Sequence, residues 1–463
     1  MCGIIGILSR PGSRTMPAPA DIIALLDAAV ASQHDLHMLA DALMAADQML
    51  RGDAGIQCMA ANPALAANLI ERLNLIDAVA DAEEARIDAL HVDTSTLDSE
   101  SARLSRVRDA SWAIRRDRLR TAEAVVALAG DNAVASALAG YLSIQQALSA
   151  IDRMEVRGRD SAGISVLVTS PQLASVSDQV ARAIAERELD PLFTNGSVRH
   201  ISSTVVFVYK AAAEIGELGD NTRAMRQAVA SDALLRQLLQ LADARVSVLG
   251  HTRWASVGII SEPNAHPVNG EEVGVENSAV SVAVLNGDVD NHAELKEQHH
   301  LVFADPITTD AKVIPALVDR GRSTGLSTHE AFLNAVTQFE GSVAIGYCAA
   351  DEPDAMYLAL CGSGQGLYVG LAEDRFIVAS EPYGTVEETT QFVRLDGETP
   401  LHADQPSSRG QVLRLSTNGA GTLQGLQKFA YDGTAIALSE SDVATAEVTT
   451  RDIDRGDAPH FLL

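Results

Sequence analysis

The sequence has few of the residues and segments that mark several protein classes. Only 4 of its 463 residues are cysteines, and no pair among Cys2, Cys58, Cys348 and Cys361 has C-x-x-C spacing. This count excludes a disulfide framework, and the spacing signals neither a zinc site nor a dithiol redox motif, so a reducing cytoplasm fits best. No apolar run reaches the roughly 18–20 residues of a membrane span. Residues 1–8 lack the basic leader and cleavage site of a signal peptide.

Basic residues are also scarce. Thirty-five Lys and Arg stand against 62 Asp and Glu, which gives a formal net charge of −27. Phosphate backbones and anionic lipid are bound by clustered basic side chains, so this balance argues against nucleic-acid and membrane partners. No G-x-G-x-x-G or G-x-x-x-x-G-K phosphate loop occurs, and no repeat of 20–50 residues is present. Apolar residues at 47 % indicate a globular protein, and the length suggests about two or three domains.

The spacing of apolar residues is helical in the first part of the chain and strand-like in the second. Residues 1–9 predict a short strand, and residues from about 18 to 150 predict helices, including one pattern over 21–50 and a start at Asn62-Pro63 with Asn62 as N-cap. From about 163 the period becomes strand-like, with helical patterns between groups of strands, which favours an α+β fold with antiparallel sheets. The predicted strands are 164–168, 204–209, 246–249, 281–285, 343–347, 356–360, 367–369, 376–379 and 412–415; the predicted helices are 178–188, 223–243, 310–320 and 328–338.

One helical segment is locally basic in this acidic chain. Its arginines are Arg103, Arg106, Arg108, Arg115, Arg116, Arg118 and Arg120. A solvated helix face is the interpretation we favour. Docking on an acidic face of the same chain or of a partner is the alternative.

Cys2 is the first candidate for chemistry. A small residue after Met1 normally permits removal of the initiator methionine, which would leave Cys2 with a free α-amine beside its thiol. Because that amine has a pKa near 7.7–8.0, one residue would offer a nucleophile and a base together. The alternative is a small apolar residue that begins a strand.

A second candidate, residues 251–256, directly follows a predicted strand. The planar guanidinium of Arg253 would bind a carboxylate through two hydrogen bonds, and Trp254 would form a wall or lid of the site. The alternatives are a core Trp254 and an Arg253 that extends to the surface. Shortly after, Asn264 and His266 would order a loop by hydrogen bonds; metal binding is less favoured because no ligand partner has suitable spacing.

Two further candidates lie at ends of predicted elements. Asn286-Gly287 follows an alternating strand, which is a strong hairpin signal. The same pair would also serve as an oxyanion hole, through the Asn286 amide and the Gly287 N–H. Asp310, in Thr308-Thr309-Asp310, precedes a helical pattern and would either cap that helix or hold a substrate ammonium group.

In this order the segments resemble the class II glutamine amidotransferases, the N-terminal-nucleophile type, and most of all the glutaminase domain of the glutamine–fructose-6-phosphate aminotransferases. The matching stretches are 1–6, 157–163, 251–255, 264–267, 286–287, 309–310 with 313–314, 362–370, 379–381 and 459–463. The resemblance implies a four-layer αββα sandwich of antiparallel sheets. It also implies hydrolysis of L-glutamine to glutamate and ammonia, and transfer of the ammonia to fructose 6-phosphate by a downstream sugar-phosphate isomerase domain.

The resemblance also implies a role for each matching residue. Cys2 would attack the glutamine side-chain amide, and Asn286 with Gly287 would stabilise the oxyanion. Arg253 would bind the substrate α-carboxylate and Asp310 its α-ammonium. Trp254 would gate an ammonia channel, and Ser256 is counted among the substrate-binding residues. No metal or organic cofactor is expected, and a homodimer is one expectation for the quaternary state.

The sequence departs from the family at several places. Val257 replaces a usual histidine, and Val156 and Arg159 replace usual tyrosines. We expect residues 1–11 and 139–450 to form the glutaminase domain, 12–138 a helical insertion, and 451–463 the start of a linker to a sugar-isomerase domain. Three rival functions remain: a non-catalytic glutamine sensor, an interaction module based on the insertion, and a glutaminase serving another acceptor.

Overall fold

The structure is a computed structural model that describes residues 2–32, 34–89, 94–212, 217–275 and 279–454. The helices are α1 Pro19–Ala31, α2 Leu36–Leu50, α3 Gly52–Ala61, α4 Pro63–Asp88, α5 Thr94–Trp112, α6 Arg120–Ala129, α7 Ala135–Met154, α8 Asp178–Arg187, α9 Asp220–Ser231, α10 Ala233–Leu239, α11 His292–Gln298, α12 Val313–Ser323 and α13 Thr328–Val336. A π-helix, Ala113–Leu119, joins α5 to α6, and a 3₁₀ turn, Asp310–Lys312, precedes α12.

The strands fall mainly in the second half of the chain. They are β1 Gly3–Ser9, β2 Ser161–Thr169, β3 Val198–Ile201, β4 Thr204–Ala211, β5 Arg245–Arg253, β6 Val268–Asn269, β7 Ser281–Gly287, β8 Val343–Ala349, β9 Ala355–Cys361, β10 Tyr368–Ala372, β11 Arg375–Ala379, β12 Gln391–Arg394, β13 Gln411–Ser416, β14 Leu426–Ala430, β15 Ala435–Ile436 and β16 Val443–Thr445. Each of the nine strands predicted after residue 163 is present.

The chain divides into two compact units. The sheet unit contains residues 2–11 and 143–447, and the helical unit contains Gly12–Leu142 and Val448–Asp454. Most of the segment predicted as a linker, 451–463, lies outside the described residues. Among the described helices, none is both long and apolar enough to cross a bilayer.

Two antiparallel sheets form the centre of the sheet unit. The nine-stranded sheet has the order β16-β12-β10-β11-β1-β5-β2-β4-β3, and the seven-stranded sheet has the order β15-β14-β13-β9-β8-β7-β6. β1 is central: Gly3 pairs with Thr252 of β5, and Ile5 pairs with Ala379 of β11. Residues at the start of β1 are therefore held between two strands that arrive from distant parts of the chain.

Apolar side chains on both faces of each sheet produce four layers, with helices packed outside the two sheets. Ile4 and Leu8 of β1 pack with Val284 of β7 in a core between the two sheets. On the outer face of the nine-stranded sheet, Ile5 and Ile151 of α7 lie together beside Gly250. Outside the seven-stranded sheet, α12 and α13 pack through apolar residues such as Phe332. The predicted four-layer αββα arrangement is thus confirmed.

The helical unit contains helices where the sequence predicts them, with two local differences. The single pattern predicted over 21–50 is interrupted after Ala31, and Asp35 caps α2 by accepting hydrogen bonds from the N–H groups of His37 and Met38. Asn62 does precede α4, but its side chain donates to the Cys58 carbonyl and does not cap the helix.

The interpretation of the basic segment as a solvated helix face is wrong for most of its arginines. Arg106 pairs with Asp41, Arg108 with Asp81 and Glu84, Arg115 with Asp77, and Arg118 with Asp47, while Arg103 pairs with Glu100. The partners on α2 and α4 are brought beside the segment by tertiary packing, which helix periodicity does not reveal. The alternative is therefore correct for these arginines: they dock on acidic side chains of α2 and α4 in the same chain.

Candidate active site

Cys2 lies immediately before β1, half-buried at the end of the central strand. The Trp254 N–H donates to Cys2 Sγ at 3.2 Å, and the thiol lies 3.6 Å from the Trp254 carbonyl oxygen. Burial raises the pKa of the Cys2 thiol, while the Trp254 hydrogen bond and the positive charge of Arg253 act in the opposite direction. The thiol is thus fixed against the end of β5 with a cation nearby.

The backbone beyond β5 is shaped by residues 157–160. A Cβ on Gly158 would lie 2.6 Å from the Arg253 carbonyl carbon, so only glycine permits this approach. Asp160 then holds the turn: its N–H donates to the Arg253 carbonyl at 3.1 Å, and its carboxylate accepts from the Ala255 N–H at 2.8 Å. Arg157 forms an ion pair with Glu381, which connects two of the segments that carry the family resemblance.

Arg253 is buried, with only 3 % of its surface exposed, so the surface alternative for this residue is wrong. Its guanidinium donates to the carbonyl oxygens of Val257 and Ile259, which organises the loop after β5. Because Val257 takes part through its backbone, this contact does not depend on its side chain. Burial lowers the pKa of Arg253, opposed by the nearby Cys2, Asp310, Asp160 and Asp288.

The two residues beside Arg253 face a more open environment. Trp254 is 56 % exposed, so the core alternative for it is wrong. The Ser256 hydroxyl donates to the Asp288 carboxylate at 2.5 Å and ties the loop after β5 to the residues that follow β7. These two loops therefore border the same space next to Cys2.

Asn286 is held by two hydrogen bonds. Its Nδ2 donates to the Cys2 carbonyl at 3.1 Å, and its Oδ1 lies 3.0 Å from His251 Nε2. Because an amide oxygen only accepts, Nε2 carries the proton in this contact. Burial, followed by the charge of Arg253, lowers the pKa of His251 to about 3, so the ring is neutral at ordinary pH.

The hairpin predicted at Asn286-Gly287 is wrong. β7 continues through both residues, which pair with Ala344 and Val343 of β8, and helix α11 follows. A type I′ turn needs two residues at positive φ, but only Gly287 has one, at 85°. A Cβ on Gly287 would lie 1.8 Å from the Ser342 carbonyl oxygen, so glycine is required.

A second histidine extends the polar network from His251. The rings of His251 and His266 are 4.5 Å apart, and His266 Nδ1 accepts from the Leu285 N–H at 3.4 Å. His266 Nε2 therefore carries the proton and donates to Thr309 Oγ1 at 3.1 Å. Burial lowers the pKa of His266 well below its usual value.

Asp310 lies at the far end of this network. Its carboxylate accepts from the Val289 N–H at 2.8 Å and from the Thr309 hydroxyl at 3.4 Å. Burial raises the pKa of Asp310, and Asp288 raises it further. Thr309 precedes the 3₁₀ turn but makes no side-chain cap there, because its hydroxyl is used by His266 and Asp310.

Asn264 orders the loop before Asp310 by hydrogen bonds, which is the alternative favoured over metal binding in the sequence analysis. Its side-chain oxygen accepts from the N–H groups of Thr308 and Thr309 at 2.7 and 2.9 Å, and its Nδ2 donates to the Pro306 carbonyl at 2.9 Å. Across residues 2–454, apart from the gaps in the description, no three His, Cys, Asp or Glu side chains are grouped to hold a metal ion.

The structure brings all seven residues predicted for the site together. Cys2, Arg253, Trp254 and Ser256 lie at the junction of β1 and β5, and Asn286, Gly287 and Asp310 border them from β7 and the 3₁₀ turn. Sequence reasoning gave no role to Asp288 and Asp160. The signal for Asp288 was its position directly after the Asn-Gly pair, and that for Asp160 its place in the 157–163 segment.

Curated proteins of similar sequence are glutamine–fructose-6-phosphate aminotransferases. The chain is 28 % identical over 330 residues to glutamine–fructose-6-phosphate aminotransferase [isomerizing] of Bacillus cereus, an alignment that covers 70 % of this chain and 42 % of the relative. The same enzyme of Bacillus anthracis is 29 % identical over 331 residues, with the same shares covered. That of Geobacillus kaustophilus is 28 % identical over 334 residues, again with those shares covered. The matched region therefore spans about two fifths of these relatives.

Other comparisons are weaker. No family model matches the chain. The solved glutamine phosphoribosylpyrophosphate amidotransferase from B. subtilis aligns with a TM-score of 0.38 at 17 % identity, covering 62 % of this chain and 46 % of that one.

The αββα fold, with Cys2 directly before its central strand, is the fold that the sequence resemblance implies. The curated relatives are glutamine–fructose-6-phosphate aminotransferases, and the resemblance predicted from the sequence is confirmed.

Proposed function

We propose that the sheet unit hydrolyses L-glutamine to glutamate and ammonia. The observation that carries the proposal is the distribution of charge around one thiol. Arg253 provides a buried cation beside Cys2, and Asp310 and Asp288 provide carboxylates near Arg253. A free amino acid needs both a cation for its α-carboxylate and a carboxylate for its α-ammonium. This arrangement therefore suits glutamine better than a peptide.

The proposed reaction begins after removal of Met1. The Cys2 α-amine accepts the thiol proton, the sulfur attacks the side-chain amide carbon, and the carbonyl oxygen becomes an oxyanion. The Asn286 amide and the Gly287 N–H stabilise that oxyanion, and one such donor is worth about 3–4 kcal/mol. Collapse of the intermediate breaks the C–N bond, and the ammonium donates the proton that the leaving ammonia needs. Water then hydrolyses the glutamyl thioester.

The fate of the ammonia is a separate part of the proposal. The curated relatives are named for fructose 6-phosphate, so we propose this sugar phosphate as the acceptor, bound by a downstream isomerase domain. Residues 12–138 are then an insertion into the glutaminase domain, 1–11 with 139–450, and Trp254 gates the route of the ammonia. A soluble enzyme of the cytoplasm fits this role.

Glutamate release from glutamine by this chain tests the hydrolysis. Intact mass must first show that Met1 is absent. We expect release by the parent chain and by Cys361→Ala, which removes another part-exposed thiol of the same unit, but none by Cys2→Ala. A covalent adduct between Cys2 and a glutamine chloroketone, blocked by excess glutamine, would locate the substrate site.

The rival functions give other results in the same samples. Glutamine binding by correctly processed protein without glutamate release, with and without fructose 6-phosphate, would replace the proposal with the glutamine sensor. Release that a panel of other amino acceptors stimulates, and fructose 6-phosphate does not, would leave the hydrolysis in place and change the acceptor.

A further inference from the structure

The helical unit contains a solvent-open cavity of about 910 Å³ between α4 and the π-helix with α6. This volume lies within the range of about 300–1,000 Å³ that is usual for small-molecule pockets. Most of its wall is apolar. The apolar side chains that line it are Met59, Ala60, Pro63, Ala66, Ile70, Leu119, Ala122, Val126 and Ala127.

The polar residues of the cavity are unusual for this chain. Arg115, Arg116, Arg120 and Glu123 complete the lining. Arg115 is occupied by Asn74 and Asp77 of α4. Arg116 and Arg120 lie at the solvent-exposed rim, and among the described residues neither has a carboxylate partner. The guanidinium of Arg116 instead lies 5.3 Å from the Trp112 ring centroid.

Arg116 and Arg120 differ from the other arginines of the basic segment in having no ion-pair partner. The segment has seven arginines, and the other five each form an ion pair within the helical unit. The two without one are four residues apart, on one helix face, and both line the cavity. In a chain with a formal charge of −27, cations left unpaired at a cavity favour an anionic ligand.

The helix geometry supports a site at this position. Arg116 lies in the π-helix Ala113–Leu119, and π-bulges are frequent at functional sites. The bonds from Arg115 to Asn74 and Asp77 place this turn beside the middle of α4, whereas Met59 and Pro63 line the cavity from the end of α3 and the start of α4. The cavity therefore runs from a cationic end to an apolar end.

The distance along α4 indicates the size of the apolar part. Pro63, Ala66 and Ile70 line one wall at helical spacing. Seven residues of helix rise about 10 Å, which matches an extended alkyl chain of about eight to ten carbons. Exposed Ile70 and Val126 flank this stretch and would be covered by such a chain.

We propose that this cavity binds a single-chain amphiphile with an anionic head group, such as a medium-chain fatty acid or alkyl phosphate. The head group lies between Arg116 and Arg120, and the chain lies along α4 toward Met59. Glu123 reduces the local positive charge. Nothing in this proposal depends on the chemistry at Cys2, so glutamine hydrolysis and ligand binding can succeed or fail separately.

Calorimetric titration of the full chain with decanoate, below its micelle concentration, tests the proposal. We expect saturable binding near one to one, about tenfold weaker for Arg116→Gln and for Arg120→Gln, and tighter for Glu123→Gln. Arg106→Gln, in the same segment but paired with Asp41 outside the cavity, serves as the matched control and should bind as the parent chain does. Ala66→Trp should block binding by filling the apolar wall.

Trp112 reports where the ligand binds. It is one of two tryptophans, so in a Trp254→Phe background the emission comes from Trp112 alone. Decanoate that draws Arg116 away from the ring should change this emission, and Arg116→Gln should abolish the change. Circular dichroism of each variant shows whether the helices are intact.

Control ligands complete the test. The requirement for an anionic head group would be contradicted if decanol bound as tightly as decanoate. It would also be contradicted if decanoate bound equally to the parent chain and to all of the arginine variants. Binding that persists in Ala66→Trp would overturn the location. Attachment to anionic vesicles without binding of monomeric decanoate or decyl phosphate would overturn a single-chain ligand in favour of a lipid surface.

Discussion

The side-chain oxygen of Asn286 accepts a hydrogen bond from His251 Nε2 at 3.0 Å, and this bond directs the other end of the amide toward Cys2. Burial keeps His251 neutral, so the ring has one N–H and must use it on that oxygen. The amide of Asn286 is therefore oriented before any substrate enters. A donor with a fixed direction stabilises a developing oxyanion more effectively than one that has to reorient.

Removal of this donor should lower turnover without weakening substrate binding. We expect Asn286→Ala to reduce kcat by about 10²–10³ with little change in KM, because the oxyanion exists only along the reaction path. Asn291→Ala makes the same change at an asparagine that bonds the Gln338 carbonyl. It should retain activity. An Asn286→Ala enzyme with normal kcat would remove the oxyanion role.

Arg253 and Asp310 should affect binding more than chemistry. We expect Arg253→Ala and Asp310→Asn each to raise KM for glutamine at least tenfold, because each removes one charged partner of the substrate. Lys312→Met is the control, because it removes a buried charge away from the thiol. The Lys312 ammonium donates to the Asn269 side chain and carbonyl. If Arg253→Ala leaves KM unchanged, the arginine acts only on the Val257 and Ile259 carbonyls.

Acid should destabilise the sheet unit through its two buried histidines. The pKa of His251 is lowered to about 3, and that of His266 is also far below 6.5. Between pH 6.5 and about 3 the unfolded chain binds protons at these sites and the folded chain does not, so stability falls as pH falls. Glu155 and Asp319, whose pKa values burial raises to about 7 and about 6, act in the opposite direction, so the histidine effect is measured against a variant. In urea midpoints measured from pH 8 to 5, the parent chain should lose stability relative to His251→Asn below about pH 6.5. Parallel profiles for the two chains would mean that the His251 ring is protonated in the folded state.

Lys210 should destabilise the fold at neutral pH. Its ammonium is buried over the Phe193 ring, no described residue accepts its hydrogen bonds, and burial lowers its pKa to about 7. Between pH 7 and about 10 the unfolded chain holds a proton that the folded chain lacks, so stability rises with pH by up to about 1.4 kcal/mol per unit.

The variant Lys210→Met should be more stable than the parent chain at pH 7.5 and should lose this rise. Lys312→Met should not gain stability, because it leaves the Asn269 oxygens without their donor. Thermal unfolding at pH 7.5 and 9 compares the two variants. A Lys210→Met chain with unchanged pH dependence would show that the Lys210 ammonium is solvated in the fold.

Two arginine pairs of the helical unit should differ strongly in strength. Arg118 and Asp47 are almost fully buried, with exposures of 2 % and 8 %, whereas Arg106 and Asp41 are largely exposed. Arg118→Gln should cost about 3 kcal/mol, because a buried carboxylate loses a partner, and Arg106→Gln less than about 1 kcal/mol. Amide hydrogen exchange in α2 should accelerate about a hundredfold for the first variant only. Asp47 also pairs with Arg51, so equal exchange in both variants would mean that Arg51 alone satisfies this carboxylate.

The sequence predicts the strands that are buried on both faces and misses every strand of fewer than five residues, together with β14. β2 and β4 are continuous apolar runs and were found, but β3, β6, β12, β15 and β16 have two to four residues each. Such strands exist because a neighbour pairs with them, so little in their own composition marks them. The turn signal at Asn286-Gly287 failed for a related reason, since pairing with β8 overrides the local preference of the dipeptide.

Side-chain networks were less predictable than elements. The residues of the candidate site were proposed one by one from their types and order, and the fold brings them together. The bond from His251 to Asn286 and the ion pairs of the basic segment depend on which helices and strands become neighbours. Apolar periodicity gives the buried face of an element but not the residue that faces it.

The place of β1 in the sheet has a consequence for the order of events during synthesis. Gly3 pairs with Thr252 and Ile5 with Ala379, so the strand that follows Cys2 can pair only after residues some 250 and 370 positions later have been made. Until then it is an unpaired apolar segment, and long-range pairing of this kind is slow. Cys2 thus stays accessible for most of translation, and its contacts with Trp254 and Asn286 become fixed only when nearly the whole sheet unit has been made.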